Sequence, residues 1–322
     1  MQAEIKAEMP KPSEKKRRYD VIIIGSGPAG YTAGIYTARA KRDTLIISGV
    51  LPGGQLMLTT EVENYPGFEK GIFGPELMSI MRKQTERMEA AIVDDEVVNV
   101  DFRHPPFKVL TPSEEYESDA VIICTGANPR KIGVKGELEF GGKGVSYCAT
   151  CDGPFFRNQE IVVAGGGDTA IEEAIFLTKF GKIVHIVHRR DKLRASQIMQ
   201  DRAFENPKIK FHWNKIVEEI TGKEKVNQVI IRDANTNEKE SMEVGALFVA
   251  IGHEPNTKLF KGQIELDDQG YIALKDHTKT SVKGVFAAGD VHDHRYRQAV
   301  TAAGFGCMAG IDVDKYLSEL KK

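Results

Sequence analysis

Short runs of aliphatic residues, rich in β-branched side chains, alternate with glycine-rich turns along this chain. The first run, Val21–Ile24, leads into a turn at 25–30 and then into a helix-compatible stretch. A second run at 161–164 precedes a turn at 165–170 and another helix-compatible stretch, which Gly181 ends. The pattern predicts the order strand, turn, helix at both places.

Both turns have the spacing of a dinucleotide-binding loop. The first glycine permits a tight turn, the second lets the backbone approach a pyrophosphate, and a small third residue lets helix pack closely on strand. One such turn is weak evidence, because glycine-rich turns also arise by chance or for packing. Two in this context favour two nucleotide sites. The candidate residues are Gly25, Ser26, Gly27, Pro28, Ala29 and Gly30 in the first turn, and Gly165, Gly167, Asp168 and Thr169 in the second.

Three further apolar runs end in small-residue turns. They are 120–124, 246–251 and 284–288. Ligands bind at the carboxyl ends of strands in open α/β sheets, so we expect these turns to close around cofactors. Plain loop chemistry is the alternative for any one of them. The candidates are Thr125, Gly126, Gly289 and Asp290.

The last of these runs, with Asp290 and the helix-compatible stretch after it, resembles the N-terminal unit in sequence pattern. This predicts that the second nucleotide unit is inserted into the first. We expect one domain from residues 19–127 and 250–322 and a second from 128–249. Glycine and proline interrupt the strand pattern near 127–130 and 251–255, which makes these segments candidate hinges.

Composition is that of an ordinary globular protein. The 322 residues are 41% hydrophobic and 28% charged, and a net charge of -2 gives no footprint for nucleic acid. Residues 1–18 carry a short basic run but no apolar segment for a signal peptide or membrane helix, so we expect a disordered arm. Four cysteines are too few for a disulfide scaffold, and we expect a cytoplasmic protein without membrane contact.

Cationic side chains follow the second strand of the second unit. An acid at this point of an NAD site usually contacts the ribose 2′-hydroxyl, whereas cations accommodate a 2′-phosphate. The pattern favours NADP over NAD, with a solvated basic face as the alternative. The candidates are His188, Arg189, Arg190 and Arg194. The equivalent place in the first unit, after Ile47, has no acid.

Two thiols at CxxC spacing, Cys148 and Cys151, precede the second glycine-rich turn, and Asp152 follows them. Zinc binding would need two further ligands at suitable spacing, and no second CxxC or HxxxH pair exists. A structural disulfide is improbable in a reducing compartment. We therefore expect a redox dithiol and no metal.

The motifs together resemble the low-molecular-weight thioredoxin reductases over nearly the whole chain beyond residue 18. The matching segments are GSGPAG from Gly25, GGQL from Gly53, TEVENYPG from Thr60, CATCDG from Cys148, GGGDTAIEEA from Gly165, HRRDKLRA from His188, GVFAAGDV from Gly284 and YRQAVTAAGFGCMAG from Tyr296. The resemblance implies an α/β fold of two Rossmann-like, three-layer ββα nucleotide-binding domains, with an NADPH domain inserted into an FAD domain. Pro154 departs from relatives with an aromatic residue there, which bears on partner docking.

The resemblance also implies roles for particular residues. Cys151 would be the thiol nearest the flavin, Cys148 the thiol that attacks the partner, and Asp152 the acid that protonates a leaving thiolate. FAD would lie on the first turn, with further contacts from Gly54, Gln55, Asn64, Asp290, Arg297, Gln298 and Ala299.

The implied function is a thioredoxin-disulfide reductase that passes a hydride from NADPH through FAD to the Cys148–Cys151 disulfide and on to a thioredoxin. The resemblance also implies a homodimer. Two alternatives are a flavin disulfide reductase for a glutaredoxin-like or peroxidase-linked partner, and a redox sensor without turnover. Since the dithiol belongs to the second domain and the flavin to the first, we predict a rotation between the domains.

Overall fold

The computed structural model describes residues 17–320, which form two units of one design. Each unit combines a parallel sheet, an antiparallel meander and helices. The elements up to the second unit are β1 (Arg18–Ile24), α1 (Pro28–Arg39), β2 (Thr44–Ile47), β3 (Glu61–Val62), β4 (Ile72–Phe73), α2 (Gly74–Arg87), β5 (Ala91–Val93), β6 (Asn99–Asp101), β7 (Phe107–Leu110), β8 (Glu115–Ile123) and β9 (Ala127–Pro129).

The second unit follows, and the chain then returns to the first. Its elements are β10 (Val145–Ser146), α3 (Ala149–Asp152), β11 (Glu160–Ala164), α4 (Asp168–Leu177), β12 (Ile183–His188), α5 (Gln197–Phe204), β13 (Ile209–Trp213), β14 (Lys215–Gly222), β15 (Val226–Asp233), β16 (Lys239–Glu243) and β17 (Ala246–Val249). The last elements are β18 (His253–Pro255), β19 (Val285–Ala287) and α6 (Ala299–Leu320).

The first sheet has the strand order β5-β2-β1-β8-β7-β6, and β19 also pairs with β8. The pairs among β5, β2, β1, β8 and β19 are parallel, whereas β6, β7 and β8 form the antiparallel meander. Val21 and Ile23 of β1 pack into the core shared with α1, α2 and α6, while Ile22 and Ile24 pack on the opposite face. Burial of both faces explains the unbroken apolar run, because each such side chain stabilises the fold by about 1.5–3 kcal/mol.

The second unit repeats this design. Its parallel sheet has the order β10-β17-β11-β12-β13, and β14, β15 and β16 form a separate antiparallel sheet. Ile161 and Val163 pack into one core, and Val162 and Ala164 into the other. The α/β fold with two Rossmann-like, three-layer units is therefore confirmed.

A two-stranded antiparallel ribbon, β9 with β18, joins the units, with Ala127 opposite Pro255. At the N-terminus β1 begins at Arg18, which pairs with Glu117, so the last residue of the predicted disordered arm belongs to the sheet. Residues 1–16 lie outside the described residues. Within 17–320 no helix combines the length and the apolar character needed to span a bilayer.

Candidate functional site

The first glycine-rich turn joins β1 to α1 under tight steric control. A Cβ on Gly25 would lie 2.3 Å from the Cys124 carbonyl oxygen, and one on Gly30 would lie 2.0 Å from the carbonyl oxygen of Gly25. A Cβ on Gly27 would meet nothing within 4 Å. The first and third glycines are therefore required for packing, and the second leaves the backbone open to a ligand at the start of α1, which begins at Pro28.

The GGQL segment is tied to this turn through Ser26. The Ser26 hydroxyl donates to the carbonyl of Ser48 (2.8 Å) and accepts from the Gly53 amide (2.9 Å). Gly54 has φ +68° and lies against Gly27, so the backbones of the two predicted flavin segments meet. Gly126 also has open space where a Cβ would stand. Ala29 is buried under the turn, and Thr125 holds the ribbon through the carbonyl of Asn256 (2.8 Å).

Asp290 follows Gly289 at the carboxyl end of β19 and is half-buried, with its carboxyl oxygen Oδ1 inaccessible. Among the described residues its Oδ1 has no hydrogen-bond partner. Burial raises the pKa of Asp290 to about 7; Asp293 adds to the rise, and Arg297 opposes it. An orphaned buried acceptor of this kind fits a hydroxyl donor from a cofactor such as the ribityl chain of FAD.

The segment before α6 brings three predicted cofactor residues together. Arg297 has φ +48°, a left-handed conformation uncommon for a residue other than glycine, and its guanidinium lies 2.6 Å from His253 Nδ1 on β18. Gln298 accepts a hydrogen bond from Asn64 (3.1 Å), and α6 begins at Ala299. Burial, assisted by the charge of Arg297, lowers the pKa of His253 to about 4.

The second glycine-rich turn is built like the first. A Cβ on Gly165 would lie 2.5 Å from the Ala250 carbonyl oxygen, whereas one on Gly167 would meet nothing within 4 Å. A Cβ on Gly166 would lie 2.2 Å from the His188 ring. His188 is buried and bonded to the Lys192 carbonyl (2.9 Å), so the structure places it as a wall of the turn.

The other predicted NADPH residues lie around this turn. Arg189, Arg190 and Arg194 are exposed after β12, and the Arg194 amide donates to the Gly166 carbonyl (2.7 Å). Asp168 and half-buried Thr169 begin α4. The carboxylate of Asp168 accepts from the amide (2.9 Å) and hydroxyl (2.6 Å) of Ser196, which closes the arginine-bearing loop onto the turn.

The dithiol lies where the two units meet. Cys148 and Cys151 form a disulfide with a Cα–Cα distance of 5.3 Å, around the short helix α3. Gln298 of the first unit faces it, with Nε2 at 3.8 Å from Cys148 Sγ and Oε1 at 3.9 Å from Cys151 Sγ. The disulfide of one unit thus contacts a predicted flavin residue of the other.

Asp152 is the ionisable group next to this disulfide. Burial raises its pKa above the ordinary value, against a lowering effect of the hydrogen bond with Ser146. The Ser146 hydroxyl also accepts from the Cys148 amide (3.1 Å). A carboxyl group with a raised pKa beside a dithiol is suited to act as a general acid.

Comparison with known proteins places these features in a family. The model of the pyridine nucleotide-disulphide oxidoreductases matches residues 19–306. A thioredoxin reductase from Streptomyces clavuligerus is 54% identical over 305 residues, which cover 94% of each chain. The chain belongs to the thioredoxin reductases of this family.

Solved structures of thioredoxin reductases resemble the whole molecule. The protein from Giardia duodenalis has 43% identity and a TM-score of 0.90, over 94% of this chain and 100% of that chain. The Lactococcus lactis protein in its FR conformation has 44% identity and a TM-score of 0.63, over 94% and 99%. Family membership makes this chain an oxidoreductase with FAD and NADPH as cofactors and the redox-active disulfide expected from the CxxC spacing.

Three further residues of the site were not predicted from the sequence. Ser196 holds Asp168, Glu173 of α4 is half-buried near Arg297 with its Oε2 inaccessible, and Thr150 contacts both Cys148 and Gln298. Glu173 follows Thr169 by four residues, so helical spacing from the turn could have found it. No local signal marks Ser196 or Thr150, because their partners are distant in sequence or belong to the other unit.

Proposed function

We propose that this chain reduces the disulfide of a thioredoxin, with electrons taken from NADPH. The observation that carries the proposal is the contact of the Cys148–Cys151 disulfide with Gln298, a residue of the predicted flavin pocket. The identity of 54% to the thioredoxin reductase of Streptomyces clavuligerus supports thioredoxin as the partner. A role in the cytoplasm agrees with a dithiol that must be kept reduced.

Residues of the two turns would hold the cofactors. FAD fits the open backbone at Gly27 and the buried Oδ1 of Asp290, which has no hydrogen-bond partner within residues 17–320. NADPH fits Gly167 and the exposed arginines after β12. When bound, FAD and NADPH supply the hydride chemistry by which the disulfide receives two electrons. The protein's own part is to position the disulfide, to manage its protons and to present it to the partner.

Opening of the disulfide requires two electrons and gives two sulfurs that take up protons. Asp152, with its raised pKa, is the group placed to give a proton to a leaving thiolate. The Cys148 thiol releases its proton and, as a thiolate, attacks one sulfur of the partner disulfide, whose S–S bond breaks, and the released partner sulfur takes up a proton in exchange. Attack by Cys151 on the mixed disulfide restores the Cys148–Cys151 bond and releases the second partner thiol.

A disulfide held against Gln298 is not open to a folded partner, so we propose that the second domain, residues 128–249, rotates against residues 19–127 and 250–322. The ribbon of β9 and β18 lies at both proposed boundaries. The TM-scores support the rotation, since two thioredoxin reductases of nearly equal identity match the whole chain at 0.90 and 0.63. The same local fold with two placements of its units accounts for that difference.

The proposal is tested by mixing the FAD-loaded protein with NADPH and an oxidised thioredoxin from the same organism. We expect catalytic appearance of thioredoxin thiols, and a much higher kcat/KM with NADPH than with NADH. Replacement of Arg189 and Arg190 by alanine should reduce that preference about tenfold or more, because hydrogen bonds to a charged group contribute about 1.5–3 kcal/mol. A flavin that NADPH reduces but that no thioredoxin reoxidises would favour the sensor.

A homodimer is part of the proposal, and an exposed apolar stripe supports it. Val300, Met308 and Ile311 are exposed on α6, and Tyr36 of α1 packs against Gly310 of the same helix. Each of these side chains is 38–55% exposed, which is unusual for adjacent large apolar residues. Sedimentation equilibrium of the protein and of Ile311→Glu decides whether this stripe is a subunit interface.

A further inference from the structure

The hydroxyl of Thr150, the residue before Cys151, has two polar partners although the residue is exposed. Oγ1 lies 3.3 Å from Cys148 Sγ and 3.2 Å from Gln298 Nε2. Thr150 lies within the four-residue helix α3, where a β-branched residue gains nothing from helix propensity. Its hydroxyl links the dithiol to Gln298 of the other unit through these two contacts.

The direction of these hydrogen bonds follows from Gln298. Its Oε1 accepts from Asn64, and its Nε2 donates to the carbonyls of Tyr296 (3.2 Å) and Arg297 (3.1 Å), so the amide orientation is fixed. Since Nε2 has only hydrogens to donate and no acceptor lone pair, the Thr150 hydroxyl cannot donate to it. The Thr150 hydrogen is then left for Cys148 Sγ, which in a disulfide can only accept.

We propose that Thr150 is a positioning residue for Cys148, whose hydroxyl donates to the Cys148 sulfur in the disulfide and to its thiolate after reduction. Thr150 and Cys148 share one turn of chain, whereas Gln298 belongs to the other unit. A rotation of the second unit therefore removes the contact with Gln298 and keeps the contact with Cys148. This inference rests on the proposed function, since it concerns the thiol that meets the partner.

Other groups around the sulfur act in the same direction. The Cys151 amide also lies 3.3 Å from Cys148 Sγ as a donor, so two donors converge on this sulfur. The ionisable group on the same helix is Asp152, whose pKa is raised by burial. From the neighbouring elements, Gln298 Nε2 lies 3.8 Å from the sulfur, and the Ser146 hydroxyl bonds to the Cys148 backbone amide. Hydrogen bonds to the charged form of a thiol favour the thiolate.

The test measures the reactivity of Cys148 directly. In the FAD-loaded Cys151→Ser protein Cys148 has no disulfide partner, and its alkylation by iodoacetamide is followed across pH by mass spectrometry of the Cys148 peptide. Addition of Thr150→Val should move the midpoint of that profile up by about one pH unit and slow alkylation near neutral pH about tenfold. Thr150→Ser keeps the hydroxyl and should retain the original profile.

Two results would overturn the inference: a Thr150→Val profile that superimposes on the parent profile, or a Thr150→Ser profile shifted as far as that of Thr150→Val. The alkylation assay contains no thioredoxin, so it separates the inference from the proposed function. If Thr150→Val shifts the alkylation profile but the protein with both cysteines fails to reduce thioredoxin, the proposed function alone is contradicted. If Thr150→Val leaves the alkylation profile unshifted and the protein with both cysteines does reduce thioredoxin, the role of Thr150 alone is contradicted.

Discussion

The side-chain amide of Gln55 donates a 2.6 Å hydrogen bond to the side-chain oxygen of Asn128. Gln55 belongs to the GGQL segment beside the first nucleotide turn, and Asn128 is the middle residue of β9 in the connecting ribbon. The Asn128 amide donates in turn to Asn256, at 3.0 Å, which follows β18. A continuous series of side-chain hydrogen bonds, from Gln55 through Asn128 to Asn256, therefore connects the predicted flavin pocket to both strands of the proposed hinge.

Asn128→Ala should loosen this hinge while leaving the two cores intact. It removes two hydrogen bonds, each contributing about 1 kcal/mol, so local opening of the ribbon should become at least about fivefold more frequent. Hydrogen exchange of the Arg130 and Asn256 amides, which bond to Gly252 and Gly126 across the ribbon, measures that opening. Unchanged exchange at both amides would show that the Gln55 contact does not restrain the hinge.

The sequence predicted the parts of this molecule that depend on neighbours along the chain. Runs such as Val21–Ile24 are buried on both faces and so lack polar positions, and the glycines at the first position of each turn, Gly25 and Gly165, leave no room for a Cβ. For His188 the sequence predicted a cofactor contact but not its packing within the second turn. A histidine after a strand suggested a ligand contact, whereas its ring packs over Gly166, a residue more than twenty positions away.

Contacts between the two units could not be predicted from the sequence. Thr150 meets Gln298 across 148 positions, and the left-handed φ of Arg297 depends on how the segment before α6 is held. Neither has a local pattern, because each depends on the relative placement of two units. The residues assigned to the cofactors and the exact domain boundaries stay predictions.

A covalent link between Thr60 and Gly142 should separate the two halves of the reaction. A Cβ on Gly142 would lie 3.4 Å from Thr60 Cγ2, and the two residues belong to different units. The Thr60→Cys, Gly142→Cys protein, once oxidised, should keep the native disulfide beside Gln298 and lose thioredoxin turnover. Thiol release from thioredoxin, measured before and after the lock is reduced, checks this.

The single Gly142→Cys protein, treated in the same way, is the control for this lock. Gly142 has φ +70°, so a side chain there costs about 1–2 kcal/mol whether or not the link forms. Full turnover in the locked protein would exclude domain rotation from the mechanism.

Glu173 should make stability depend on pH. Burial raises its pKa from 4.5 to about 7, partly offset by Arg297, and among the described residues its Oε2 has no hydrogen-bond partner. A carboxyl with a raised folded-state pKa costs no stability below the unfolded value. Between the unfolded-state and the folded-state pKa, the glutamate is ionised in the unfolded protein but still protonated in the folded one. The free energy of unfolding therefore falls as pH rises through this range, by up to about 3 kcal/mol at its upper end.

Glu173→Gln should remove this loss. Urea unfolding of the apoprotein should give the two proteins similar pH trends below the ordinary glutamate pKa. Above about pH 7 the variant should be the more stable by up to about 3 kcal/mol. Exposed Glu224, in the turn between β14 and β15, provides the matched control, and Glu224→Gln should leave the trend unchanged. Parallel pH trends for Glu173→Gln and the parent protein would show that the Glu173 carboxyl is solvated in solution.

Asp152→Asn should slow turnover strongly while FAD stays bound. The amide cannot donate the proton that a leaving thiolate needs, and loss of a general acid costs about 10²-fold or more in kcat. Because burial raises the Asp152 pKa, the parent protein should lose activity as pH rises through that pKa, and the variant should lack this decline. Exposed Asp268→Asn serves as the control and should behave like the parent. Flavin absorbance reports cofactor content, and a kcat for Asp152→Asn equal to that of the parent would remove Asp152 from the proton transfer.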